Sequence, residues 1–164
     1  MSLSPSRNLL VMNVQMSVSL LTTIILCRLL FPGIVQAEFA VAVLPVAILH
    51  MFRFIGMTVV MPGQLDDAIS HKAKVQIAIG DLAVAVTAVL LTFAIVEGFS
   101  DGAVRALAWL FVITCLTDMA VIQRFFIREQ FWDKKMGVVW LFQVLLSVPM
   151  VLGEFFVLYR LVVV

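Results

Sequence analysis

Five runs of apolar residues, each long enough to cross a bilayer, occupy most of this chain at about 9–31, 37–61, 75–96, 103–127 and 136–163. A hydrocarbon core of ~30 Å needs about 20 consecutive, mostly apolar helical residues. In lipid every backbone N–H and C=O has to be satisfied within the segment, which leaves the α-helix as the form for such runs. The breaks between runs are Pro32-Gly33, Pro62-Gly63, the stretch 97–102 and the stretch 128–135. Pro-Gly pairs interrupt helices strongly. Five spans of about 22 residues use roughly 110 positions, which leaves short connections and no separate soluble domain. The sequence therefore predicts an all-α integral membrane protein: a five-transmembrane-helix bundle forming one domain over 1–164, embedded in a lipid bilayer.

Composition agrees. The chain is 63% hydrophobic and 13% charged, where soluble domains carry about 25% charged residues. A net charge of +1 leaves no basic surface for nucleic acid. Cys27 and Cys115 both lie in apolar runs, with no CxxC or zinc-type spacing, and read as small packing residues rather than a disulfide. The first run is longer than a signal-peptide core and is interrupted by Asn13, Gln15 and Arg28, so it reads as a span rather than a leader cut at 35–37.

Basic residues set an orientation. With five spans, Arg7, Lys72, Lys74, Arg124, Arg128, Lys134 and Lys135 share one side. Arg28, Arg105 and Arg160 lie on the other. The positive-inside rule then places the N-terminus in the cytoplasm and the C-terminus outside. Trp132 and Trp140 mark the inner boundary, Trp109 and Tyr159 the outer one.

Ionisable side chains inside apolar spans are costly and need an explanation. His50 and Arg53 lie in the second run, Asp81 in the third, Asp118 in the fourth, and Gln143 and Glu154 in the fifth. At ~1.5 Å per residue from the cytoplasmic ends, His50 comes out ~16 Å deep, Arg53 ~12 Å, Asp81 ~9 Å, Asp118 ~13 Å and Gln143 ~10 Å. Asn13 and Gln15 fall at ~6–9 Å. A buried polar cluster of His50, Arg53, Asp81, Asp118 and Gln143 is the candidate site. Arg53 cannot deprotonate, so it pairs with Asp81, Asp118 or both. One Arg between two Asp leaves one negative charge over, to be met by a protonated His50 or a protonated carboxyl. Glu154, five residues after Pro149, reads as a separate polar site in the outer half, snorkelling outward or meeting Arg160. Ala78, Asp81, Ala85 and Ala88 form one stripe of the third helix, where small residues allow close helix approach. Thr114, Cys115 and Asp118 share a face of the fourth.

The series His50-x-x-Arg53-x-x-Gly56, Met61-Pro62-Gly63 and Gly80-Asp81-Leu82 resembles a group of small bacterial inner-membrane proteins of unassigned function. They look alike in an H-x-x-R-x-x-G helix that ends in Pro-Gly, a following G-D-L and an Asp late in the next helix. Here that Asp is Asp118, and the proline of the last helix is Pro149. The resemblance covers about 44–158. It implies that His50, Arg53, Asp81 and Asp118 belong together, and it supplies no activity. Such proteins often carry an Asn early in the fourth helix and a His in the last. Val112 and either Gly153 or Glu154 stand there in this chain, so a two-histidine ligand set is incomplete.

Nothing here matches a nucleophile elbow, an HExxH or a phosphate loop. The sequence therefore predicts no catalytic residues, no metal and no cofactor. It predicts a non-enzymatic membrane component, an accessory or scaffold subunit packing against other membrane subunits or its own copies as a homo-oligomer. The alternative is a proton or small-ion pathway through the polar set, because His and Asp serve intramembrane proton relays.

Overall fold

The computed structural model describes residues 5–163 and is helical throughout, with no strand among the described residues. Its helices are α1 (Pro5–Leu30), α2 (Phe39–Met51), α3 (His71–Val96), α4 (Asp101–Arg128), α5 (Val139–Leu145) and α6 (Ser147–Val163). A nine-residue 3₁₀ stretch, Phe52–Val60, continues α2, and a short one lies at Phe131–Asp133. Four helical segments are long and apolar enough to cross a membrane: Arg7–Leu30, Phe39–Val60, His71–Val96 and Asp101–Arg128. The pair Val139–Leu145 and Ser147–Val163 makes a fifth if counted as one span, bent by 45°.

The sequence dictates these boundaries locally. Gly33 (φ 82°) and Gly63 (φ 77°), each following a proline, take left-handed conformations that turn the chain out of α1 and out of the 3₁₀ stretch. The Ser70 hydroxyl accepts from the Ala73 N–H at the start of α3, and the Ser100 hydroxyl from the Ala103 N–H at the start of α4. Both satisfy amide groups that a helix start leaves open. From the sequence 136–163 reads as one helix; the structure breaks it at Leu146. Pro149 has no N–H for the carbonyl one turn earlier, and the chain bends there. The Ser147 hydroxyl takes the Gln143 carbonyl at the same bend.

Helix α3 is the centre. It packs on α2 with its 3₁₀ continuation on one side and on α4 on the other, and α6 closes against α2 and α4. Its stripe of Ala78, Asp81, Ala85 and Ala88 is buried. Helix α1 stands at the edge, packed only on the last third of the chain, where the Trp140 indole N–H donates to Gln15 Oε1 at 3.1 Å.

The apolar core is divided in two. One part holds Val43, Ala47, Val84, Ala88, Ala108, Phe111, Cys115 and Val157. The other holds Val59, Ile69, Ala73, Ile77, Phe125 and Phe131. Along α2, α3 and α4 alike, the charged residues fall between these two sets.

Beneath the second apolar set the loops are hydrogen-bonded to one another. The Asp66 N–H donates to the Lys135 carbonyl at 2.8 Å, and its carboxylate accepts from the Lys135 N–H at 3.1 Å and the Ala68 N–H at 3.0 Å. Those N–H bonds, first from Ala68 and then from Lys135, hold the Asp66 carboxyl below the usual carboxylate range, with the charges of Lys134 and Lys135 adding to them. Glu129 accepts from the Ser70 N–H (2.8 Å) and hydroxyl (2.6 Å). On the opposite face Arg160, nearly fully buried, donates to the Val35 and Ala37 carbonyls at 2.5 and 2.7 Å.

Candidate functional site

Between the two apolar sets, three helices, α3, α4 and α6, each deliver one carboxylate to Arg53. This residue is the second of the 3₁₀ stretch, in which side chains three apart eclipse one another, so Gly56 stands directly in line with it. The guanidinium is shared by three carboxylates. Its Nε donates to Asp81 Oδ1 at 2.8 Å, its Nη2 reaches Asp81 Oδ1 and Asp118 Oδ2, and its Nη1 donates to Glu154 Oε1 at 3.2 Å.

Glycines make room for two of these carboxylates. A Cβ at Gly56 would overlap the Asp81 carboxylate, and a Cβ at Gly80 the Asp118 carboxylate. The G-D pair of α3 thus does two things. Gly80 gives space to the acid of α4, and Asp81 fills the space that Gly56 leaves.

His50, one turn before Arg53, is completely buried. Its Nδ1 lies 2.9 Å from the Val46 carbonyl and its Nε2 lies 3.2 Å from Glu154 Oε1. A carbonyl only accepts, so Nδ1 carries a proton and Nε2 is the nitrogen presented to Glu154. The Phe111 ring stands edge-on to the imidazole, centroids 5.0 Å apart, and fixes its plane. Cys115, also completely buried, completes the neighbourhood. One ligand atom each from His50, Cys115 and Glu154 lies within 4.8 Å of the others, a set that could hold a metal ion.

The structure therefore joins His50, Arg53, Asp81 and Asp118 and adds Glu154, which the sequence had set apart in the outer half. About nine residues of α6 separate Glu154 from Val163, a rise of ~13 Å, which brings it to the level His50 reaches ~16 Å from the start of α2. Glu154 does not meet Arg160, which is held by backbone carbonyls. Gln143 is half-buried and makes none of the cluster's hydrogen bonds; it lies eleven residues before Glu154 and beyond the bend. Asn13 is exposed and Gln15 serves Trp140, so α1 contributes nothing to the cluster. Cys115 was the residue whose chemistry sequence reasoning missed. The available signal was its position three residues before Asp118, on the buried face of α4.

With His50 neutral, three carboxylates around one guanidinium leave two negative charges over. Asp118 Oδ1 and Glu154 Oε2 are buried without a hydrogen-bond partner among the described residues. Groups of this kind are held in an apolar interior only with protons or a cation in place.

No curated protein matches the chain, and no solved structure matches it. A family model described as a domain of unknown function (DUF8737) matches residues 11–162. That match takes in every residue of the polar cluster and all but the ends of the helical bundle, so the chain belongs to the DUF8737 family.

Proposed function

We propose that this protein is a non-enzymatic integral component of the bacterial inner membrane, an accessory or scaffold subunit that docks through α1 against other membrane subunits. The observation that carries the reading is how little of α1 this chain covers. Only 6% of its most apolar window is buried, against 28%, 33% and 28% for the three other long spans. The uncovered surface is not uniformly apolar. Asn13 and Ser17, one turn apart, are exposed on it; the Ser17 hydroxyl donates to the Asn13 carbonyl at 2.8 Å, which leaves the Asn13 carboxamide as the group a neighbour would meet. Polar side chains on a lipid-facing helix are costly, and such groups hydrogen-bond across helix–helix contacts. In this reading the charged cluster is an internal lock that fixes the register of α2, α3, α4 and α6.

The test is purification in mild detergent, with the mass of the complex and the identity of its components measured. A larger membrane protein at fixed stoichiometry is expected, lost when Asn13→Leu and Ser17→Leu are combined. A partnerless monomer, stable in detergent and in vesicles, would overturn the proposal.

A proton-handling role is the second reading, and the surplus of negative charge in the cluster favours it. Against it stands the burial of His50 and Glu154, at 0% and 1% exposure. The groove of about 490 Å³ lined by residues 35–40, Asp101, Arg105 and Arg160 includes no residue of the cluster.

A further inference from the structure

We infer that His50 Nε2, Cys115 Sγ and a Glu154 carboxylate oxygen form a binding site for a single divalent d-block cation, zinc by the chemistry of its donors. The inference begins from the facing of two acceptors. The Val46 carbonyl accepts from Nδ1–H, so in the neutral imidazole Nε2 points a lone pair at a carboxylate oxygen 3.2 Å away. Two such atoms repel unless something electropositive lies between them. Around a tetrahedral ion with ligands at ~2.0 Å, neighbouring donor atoms stand about 3.3 Å apart, so the observed spacing suits a shared metal.

Three further observations separate a metal from a single proton. The first is the third donor. A proton bridges two atoms, whereas Cys115 Sγ belongs to the same 4.8 Å triangle, reached from α4 while His50 comes from α2 and Glu154 from α6. The second is the unpartnered Glu154 Oε2, on a residue 1% exposed, which leaves the carboxylate able to turn either oxygen to an ion. The third is charge. With His50 neutral and Cys115 bound as a thiolate, the cluster carries three negative charges beyond the one that the guanidinium meets, and a divalent ion offsets two of them.

The surroundings resemble the outer shell that metal ligands require. A ligating histidine donates its other N–H to a carbonyl or carboxylate, and a ligating carboxylate is itself hydrogen-bonded. Val46 does the first for His50, and Arg53 Nη1 does the second for Glu154 at 3.2 Å. A sulfur–nitrogen–oxygen set excludes magnesium and calcium, which take oxygen ligands, and suits zinc. Sequence alone pointed away from a metal because the three donors lie 39 to 104 positions apart with no local spacing motif.

The test uses the full chain in mild detergent, with zinc, and cobalt(II) as a spectroscopic stand-in. Elemental analysis is expected to find about one zinc per chain after desalting, or one zinc regained from free zinc after chelator treatment. Cobalt in its place is expected to show thiolate-to-cobalt charge transfer in the near ultraviolet. That band should vanish in Cys115→Ser and persist in Cys27→Ser. Glu154→Gln should weaken zinc binding by roughly tenfold or more. X-ray absorption on the unaltered protein needs no variant to fold, and it should find one sulfur at ~2.3 Å with nitrogen and oxygen at ~2.0–2.2 Å. Wild-type protein that is metal-free and takes up neither ion overturns the inference. So does an absorption spectrum without sulfur in the first shell.

Discussion

Arg53 is the residue on which the interior depends. A guanidinium stays charged at any working pH and has five N–H donors, so burying it obliges the chain to provide oxygen acceptors on several sides. The chain supplies Asp81, Asp118 and Glu154 from three helices. Arg53→Ala is expected to destabilise the bundle by roughly 3–5 kcal/mol, since it leaves buried acids without their counter-charge. Combining it with Asp118→Asn should recover part of that loss. Reversible unfolding in mixed detergent micelles measures both, and a double variant no more stable than the single one would show that Arg53 and Asp118 are not coupled. Much at this scale was legible. An arginine inside an apolar span has to find acids, and Asp81 and Asp118 were the nearest in depth. The part of Glu154 was not legible, because its depth is counted from the outer end of the last helix and the depths of the other charges from the cytoplasmic ends, and the two counts meet only once the helix lengths are known. Cys115 was hidden for another reason: a buried cysteine in an apolar run looks the same whether it packs or ligates.

At the scale of elements, the four long spans follow from apolar runs punctuated by Pro-Gly and serine caps, and those boundaries could be read within a few residues. The 3₁₀ form of Phe52–Val60 could not, since its pattern of residues suits an α-helix as well. Nor could the joined loops. Asp66, Ser70, Glu129 and Lys135 look like solvated loop residues in sequence, yet they tie the 61–70 turn to the α4–α5 connection. Most of these contacts involve backbone groups, which sequence does not place. The lowered pKa of Asp66 carries a sign. Its contribution to holding the loops is complete above the ordinary aspartate value and is lost only as the pH falls through the lower, folded value. The amide-proton shifts of Ala68 and Lys135, followed by NMR, should therefore titrate below the pH of a free aspartate. A midpoint at or above that value would mean that the loops are not joined through this carboxylate.

For the molecule as a whole, the distribution of lysine and arginine makes a claim about sidedness. The face formed by residues 61–74 and 128–138 carries five of the eleven lysines and arginines, all the lysines among them, and it is also the face closed by hydrogen bonds between loops. Reporter fusions after Lys74 and Lys135 are expected to report the cytoplasm, and a fusion after Val163 the outside. A cytoplasmic report after Val163 would mean that the bent α5–α6 pair re-enters rather than crosses.

The layered core has one more consequence, which concerns time. Chains are made from the N-terminus, and their parts fold in that order. Arg53 is synthesised first among the buried charges, Asp81 and Asp118 follow at intervals of 28 and then 37 residues, and Glu154 comes 36 residues after that. Until residue 154 has emerged, His50 Nε2 lacks its partner and the guanidinium is one oxygen short. The bundle therefore has no finished intermediate. Each nascent length leaves a hydrogen-bonding group of Arg53 or His50 without its partner, and only α6 closes the cluster that α2, α3 and α4 begin.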